Sequence, residues 1–304
     1  MEEIMSPITS RLYEGKKDFQ IMLDLMERVR PAAHARDYPG KVDIEENLAV
    51  EEICATVKLW FDDGRPIGWA YVDEGNNLRW ELEKPYTDTV GAEMVTWGMD
   101  CTRSGKTLAA GEKSTLDASC REDYQERLDF LKKFGFRQTE NFSVQMKRDL
   151  SKSIPEPDLP QGYVIRPAKG VGEAEAIATA HRAAFGTDYM STENRLIIMN
   201  SSEYDPTLDL LVIAPDGMIA GYCTCSADPD GGGFTDPVAV HPEHQRKGLS
   251  KALLLRGLQL LKERGMTFAE FTTSGDNISM QKAGESAGFV LENRNLWFEK
   301  EVKN

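Results

Sequence analysis

The stretch 236-DPVAVHPEHQRKGLSKALLL-255 decides how the chain is read. It opens as a short apolar strand, meets Pro242, runs through the polar and basic Gln245, Arg246 and Lys247, and passes Gly248 into a long apolar helix. A helix start exposes unbonded N–H groups and the positive end of the helix dipole, and a tight turn into it rings an anion with backbone amides. Gly248 permits the torsions and the close approach that such a turn needs. Ser250 is small and carries a further donor, and Arg246 and Lys247 add positive charge in a chain whose net charge is −14. Phosphate or pyrophosphate is the occupant these residues indicate. The sequence contains neither GxxxxGK[ST] nor GxGxxG, so the loop is not a P-loop or a dinucleotide fingerprint.

Around this stretch the pattern is mixed α/β, built on one sheet. Upstream, "YVIRPA" (163–168) reads as a strand, "GEAEAIATAHRAAF" (172–185) as a helix and "TENRLIIMNSS" (192–202) as a second helix. "LDLLVIAPDGMIAGYCTCSA" (208–227) is a hairpin turning at Asp216-Gly217, and "GGGFTDPVAV" (231–240) the next strand. Downstream come a helix over Leu249–Arg264, the strand "FAEFTT" (268–273), a helix over Asn277–Ala287, and "FVLENRNLWFEKEV" (289–302) as a closing hairpin.

"SKSIPEPDLPQG" (151–162) has three prolines and no apolar periodicity and reads as a linker. The chain before it follows much of the same course. "DFQIMLDLMERV" (18–29) is a helix, residues 53–73 a hairpin turning at Asp63-Gly64, "LRWELEKP" (78–85) a strand, and "YQERLDFLKKFGF" (124–136) the end of a helix. That helix closes on Gly135-Phe136 as the later one closes on Gly288-Phe289, and Pro85 and Gly91 recur as Pro242 and Gly248. Two such pairs in the same order, with matched hairpins, indicate an internal repeat. A length of 304 residues fits two domains of about 150 each.

Both halves are acidic, which argues against nucleic acid or an anionic membrane as partner, since those need a basic face. A cationic substrate fits, as does plain solubility. "MEEIMSPITS" begins with acids and lacks the apolar core of a leader, and no stretch approaches the roughly 20 apolar residues of a membrane span. The five cysteines (Cys54, Cys101, Cys120, Cys223, Cys225) are odd in number and scattered, which suits free thiols in a reducing cytoplasm. Cys223 and Cys225 share a strand face, with His241 and His244 nearby in sequence, but the spacing matches no usual zinc site and no metal is expected.

The residues of the opening stretch carry a resemblance. "VAVHPEHQRKGLSKALL" resembles the acyl-CoA-binding motif A of the GNAT superfamily of N-acetyltransferases, whose loop reads Q/R-x-x-G-x-G/A. Gln245 and Gly248 match it, and Ser250 stands where glycine or alanine is usual. "DNISMQKAGESAGFVLENR" resembles motif B, with Asn277 and Gly288-Phe289 at its marked positions. The resemblance covers residues 163–302 and implies an α/β (α+β) chain of two tandem GNAT-like domains, each a mixed, mostly antiparallel sheet flanked by helices. Residues 1–150 form a degenerate copy, in which Asp88 and Glu93 replace the basic loop, and residues 163–304 an acetyl-CoA-binding copy. The plan is similar to the mycothiol synthase-like organisation of two-domain GNAT proteins. It implies that the backbone of Val238 and Val240 bonds the pantetheine arm, that the amides of Arg246, Lys247, Gly248, Leu249, Ser250 and Lys251 hold the pyrophosphate, and that Asn277 touches the far side of the arm.

Acetyl transfer to an amine needs a base, a polarised carbonyl and a stabilised thiolate. Strand alternation places Asp236 on one face with Val238 and Val240, two residues before the pantetheine contact, which makes it the candidate base. The alternative is a strand-start carboxylate that only positions Pro237 and its loop. The amide of Val240 is the candidate oxyanion donor. The family's usual acid, a motif B tyrosine, falls on Gly284, which leaves Tyr222, Tyr189, another phenol or water to protonate the thiolate. Cys223 and Cys225 would suit an acyl-enzyme, but no histidine is placed to activate them. The reading is an acetyl-CoA-dependent N-acetyltransferase acting on a small-molecule amine as a monomer or homodimer, against an acyl-CoA-binding regulatory protein without turnover.

Overall fold

The computed structural model describes residues 8–105, 114–201, 204–228 and 231–302; Met1–Pro7, part of the segment read for a leader, lie outside them. The chain forms two compact units, residues 1–142 with 295–304, and residues 143–294.

The first unit carries β1 (Thr9–Leu12), α1 (Lys16–Val29), α2 (Lys41–Asn47), α3 (Glu51–Cys54), β2 (Lys58–Asp62), β3 (Arg65–Val72), β4 (Leu78–Leu82), α4 (Thr87–Ser104), β5 (Ser114–Arg121), α5 (Gln125–Lys133) and the start of β6 (Arg137–Asp149). Strands β1 to β4 form an antiparallel sheet in sequence order. Alternation sends Leu59, Trp69 and Tyr71 to a core with Met22 and Leu25 of α1, and Trp60, Ala70 and Val72 to a core with Met94 of α4. Strand β5 takes its partner from the far end of the chain, pairing antiparallel with Asn295–Val302.

The second unit begins with residues 143–149 of β6 and adds β7 (Val164–Pro167), α6 (Ala174–Phe185), α7 (Thr192–Met199), β8 (Asp209–Ile213), β9 (Ile219–Ala227), β10 (Gly232–Val240), α8 (Leu249–Glu263), β11 (Phe268–Ser274), α9 (Ile278–Ser286) and the start of β12 (Val290–Val302). Its strands run in the order β6-β11-β10-β9-β8-β7, antiparallel except for the parallel β10–β11 pair. Helix α8 packs on one face over β8, β9 and β10, and α6 on the other over β9 and β10. Leu253, Leu254, Leu258 and Leu261 of α8 are wholly buried, a class of side chain whose truncation to alanine costs about 2–5 kcal/mol.

Three expectations change. The stretch 289–302 is not a hairpin: β12 is one strand, and the polar Asn293 stays in it by donating to Gln145 Oε1 at 2.7 Å. The proline-rich segment 151–162 lies within the second unit and runs along α8, where Lys262 Nζ donates to the Lys152 carbonyl at 3.2 Å. The units therefore part inside β6 and β12, not at residues 150 and 163, because long-range strand pairing assigns residues to a unit and local composition does not show it. Gly91 is no loop glycine: it sits inside α4, buried, where a Cβ would lie 2.5 Å from two ring carbons of Phe134.

That packing makes a stability prediction. Gly91→Ala is expected to overpack the α4–α5 contact by about 1–3 kcal/mol and to lower the thermal midpoint. A midpoint at or above the wild-type value would show that Phe134 turns aside freely.

Candidate active site

The parallel pair β10–β11 is short. It is laddered only from Gly232–Phe268 to Phe234–Glu270, although β10 continues to Val240 and β11 to Ser274. Beyond that point β10 keeps its partner β9 on one side and presents an edge free of β11 on the other, where the Val240 carbonyl accepts from Gln245 Nε2 at 3.3 Å. The His241 amide bonds the Ala220 carbonyl on β9. Alternation then turns the backbone groups of Val238 and Val240 away from β9, toward the open edge.

A bulge interrupts β10. Thr235 lies opposite Cys225 and Val238 opposite Cys223, so Asp236 and Pro237 together oppose Thr224. This corrects the alternation argument: Asp236 does not share a face with Val238 and Val240. Those two stand on the α8 face with Cys223 and Cys225, while Asp236 stands with Thr224, Tyr222 and Ala239 on the face covered by α6. Asp236 is solvent-accessible, yet protein packs around enough of its carboxyl that burial lifts its pKa to about 6. Its charge is felt by both Tyr222 and Cys223.

The open edge leads to the loop. Arg246 and Gly248 both take positive φ, 60° and 78°, and open space surrounds the Gly248 α-carbon. No side chain caps α8, and Ala252 is the first residue of the helix whose amide bonds back, to the Gly248 carbonyl. The amides of Leu249, Ser250 and Lys251 thus form the uncapped first turn. Lys247 Nζ is held by Tyr163 Oη at 3.0 Å, and Tyr163 in turn bonds His244 Nδ1 at 2.8 Å. Beside Gly248, Lys251 and Leu255, the segment Pro155–Pro160 encloses a cavity of about 290 Å³. Asn277 caps α9, accepting from the Met280 amide at 3.1 Å while donating to Thr273 Oγ1.

The structure explains Gly284. A Cβ there would meet ring carbons of Phe271 at 2.5 and 2.7 Å, so no tyrosine fits. Tyr189 is 76% exposed on the loop before α7, and Tyr222 is buried, its Oη 2.5 Å from His181 Nδ1. Burial raises the Tyr222 pKa; burial, then the charges of Arg195 and Arg182, lower that of His181. His181 carries no motif signal and was missed in the sequence; only its place on the inner side of α6 reveals it. Cys223 and Cys225 lie 3.6 Å apart, sulfur to sulfur, beneath α8, and their mutual hydrogen bond and burial push the Cys223 thiol well up. That environment opposes the thiolate an acyl-enzyme would need. His241, Glu243 and His244 cluster with donor atoms within 4.8 Å, and neither cysteine joins them.

Among the described residues the first unit shows no such edge and loop. Just before β4, Asn77 forms an isolated bridge with Asp117 of β5, and Arg127 of α5 crosses to β4, donating to the Trp80 carbonyl at 2.9 Å and to Glu81 at 2.6 Å. Helix α4 starts directly after Lys84–Tyr86, without a basic loop.

This architecture is the GNAT fold, present along the whole chain. The structure aligns over 98% of its length, and 98% of theirs, with a GCN5-related N-acetyltransferase from Sphaerobacter thermophilus (TM-score 0.79, 20% identity). It aligns likewise with a tandem GNAT protein from the clavulanic acid biosynthesis pathway (TM-score 0.73, 16% identity, 98% of this chain and 99% of that one). Residues 174–289 match the acetyltransferase (GNAT) family model. A mycothiol acetyltransferase of Arthrobacter sp. (strain FB24) is 25% identical over 184 residues, 58% of this chain and 57% of that one. The matched segments span 29–57% of the first three curated relatives. Among the described residues no helix is long and apolar enough to cross a membrane.

The raised Asp236 pKa has a stability consequence. A carboxyl whose folded pKa is lifted from 3.8 to about 6 favours the folded state while protonated and penalises it increasingly as pH climbs through that interval. Asp236→Asn is expected to melt at the wild-type temperature below pH 4 and above it at pH 7–8. Identical melts at both pH values would place the carboxyl in ordinary solvent.

Proposed function

We propose that the protein is an acetyl-CoA-dependent N-acetyltransferase for a small-molecule amine, with the reaction carried by the second unit. The carrying observation is the open β10 edge running into an uncapped, positive-φ loop at the start of α8. An extended pantetheine arm supplies the strand that β11 does not, bonded by the backbone of Val238 and Val240. The amides and charges of Arg246, Lys247, Gly248, Leu249, Ser250 and Lys251 take the pyrophosphate. Asn277 reaches the arm from α9 if it releases its cap. The Val240 amide faces the same edge and polarises the thioester carbonyl.

Asp236 is the base. Its pKa of about 6 keeps it ionised near neutral pH yet able to hold a proton, the compromise a general base needs. The amine nitrogen attacks the thioester carbon, the C–S bond breaks, and the thiolate leaves. With position 284 closed to tyrosine and Tyr222 buried, water protonates it. The acceptor, sole chain or dimer, and residence in a thiol-preserving cytoplasm belong to this proposal; the five cysteines are free. The first unit, its β4 edge taken by Arg127, acts without acyl-CoA. The competing reading, acyl-CoA binding without turnover, draws on the blocked position 284.

Three variants test this. Gly248→Glu is expected to abolish acetyl-CoA binding in calorimetry, through a strained φ and a charge facing phosphate. Asp236→Asn is expected to keep acetyl-CoA affinity and lose about 10²–10⁴-fold in kcat/KM, less at alkaline pH, where the amine arrives neutral. Wild-type stoichiometry of two acetyl-CoA per chain, or an Asp236→Asn enzyme of full activity, contradicts the assignment. The competing reading predicts binding with no thiol release for any amine in a panel. Finally, Arg127→Ala should leave acetyl-CoA affinity and stoichiometry unchanged if the first unit's lack of a phosphate loop suffices to exclude it.

A further inference from the structure

An ammonium that becomes an amide loses two protons, and Asp236 accounts for one. We infer that His181, oriented by Tyr222, receives the other. This rests on the acetyltransferase reading and extends it to a residue outside the family's two sequence motifs.

His181 lies on α6, the helix that packs over β9 and β10 on the face where the bulge places Asp236. Tyr222 is the residue of β9 opposite Ala239, between the pantetheine contacts Val238 and Val240, and its hydroxyl meets His181 Nδ1 at 2.5 Å. This bond fixes the ring by one nitrogen and leaves Nε2 as its working atom. Phe185, one turn on, packs against the imidazole with centroids 4.5 Å apart, holding its other side. The ring is only partly buried, so an acceptor can reach it, whereas Tyr222 is 1% exposed and cannot touch substrate. Tyr222 is therefore a positioning residue and His181 the group in contact.

The electrostatics agree. The charged groups that act on this pair are Arg182 on α6, Arg195 on α7, Asp209 on β8 and Asp236 on β10, while Cys223 acts on Tyr222 from the other face of β9. Burial, and after it the charges of Arg195 and Arg182, hold His181 below its ordinary pKa, which favours the neutral ring that can accept. Arg195 is itself neutralised by Asp209, to which Tyr204 and Thr224 also donate.

The balance is as follows. The ammonium gives one proton to the Asp236 carboxylate and becomes the nucleophile. Its lone pair forms the C–N bond, and the C–S pair leaves on sulfur. The second N–H proton passes to His181 Nε2, in the tautomer where Nδ1–H donates to Tyr222. The thiolate takes a proton from water, and both acceptors release theirs to solvent.

The test is a pH profile of kcat, with acetyl-CoA affinity measured in parallel, for wild type, His181→Gln and Tyr222→Phe. Wild-type kcat is expected to fall on the acid side with the steepness of two ionisations. His181→Gln is expected to lose about 10²-fold in kcat, to keep acetyl-CoA affinity, and to show one ionisation on that limb. Tyr222→Phe keeps the imidazole, so it is expected to lose less and to retain two ionisations with one displaced. Lower melting temperatures with an unchanged limb in both variants would make the pair structural and overturn the inference while the transferase reading stands. A wild type that binds acetyl-CoA but acetylates no amine would overturn both.

Discussion

A strand pair that stops being a pair organises the second unit. Strands β10 and β11 are laddered for three residues and then part. Unpaired backbone groups inside a sheet are costly unless something bonds them, so a fold that keeps such an edge is suited to an incoming strand. The bulge at Asp236–Pro237 sits just where the ladder ends. Proline has no N–H to give a neighbour, and the extra residue rotates everything after it. As a result the backbone of Val238 and Val240 meets the opening while Asp236 is delivered to the opposite face.

The two faces of that sheet differ in chemistry. Toward α8 lie leucines and the paired thiols Cys223 and Cys225, dry and closely packed. Toward α6 and α7 lie His181, Tyr222, Arg195 and Asp209, with Tyr204 and Thr224 completing the bonds to the Asp209 carboxylate. A buried ion pair is a weak source of stability, since desolvation offsets much of the attraction. Here it fixes the polarity of a region in which one carboxyl is pushed up and one imidazole pushed down, the kind of divergence that separates the roles of titratable groups.

The first unit shows what the same plan becomes when the opening is filled. There the residue just before β4, Asn77, meets Asp117 of β5 in an isolated parallel bridge. The Trp80 carbonyl is bonded by Arg127, Phe134 packs against Gly91, and Glu81 is held between Arg30 and Arg127. In the second unit the Val240 carbonyl likewise accepts from the Gln245 side chain, at 3.3 Å. Charge alone, read as Asp88 and Glu93 in place of a basic loop, pointed the same way for a different reason: in α4 there is no loop for those residues to occupy.

The sequence by itself determined the elements and the loop. Asp216-Gly217 and Asp63-Gly64 mark their hairpins because few residues tolerate the torsions of so tight a turn. The helices α6, α8 and α9 are written in local apolar spacing, and the Gln245–Gly248 pattern stands out because a glycine-led, uncapped helix start is contiguous in sequence. Tertiary structure decided what depends on partners distant in the chain. Residues 143–149 and 295–302 belong to the units they pair with, and no local signal records that exchange. A bulge is visible only against the opposing strand, so strict alternation put Asp236 on the wrong face. His181 meets Tyr222 across 41 positions of sequence, and side-chain contacts at that range are set by how a helix lands on a sheet, which no spacing rule encodes.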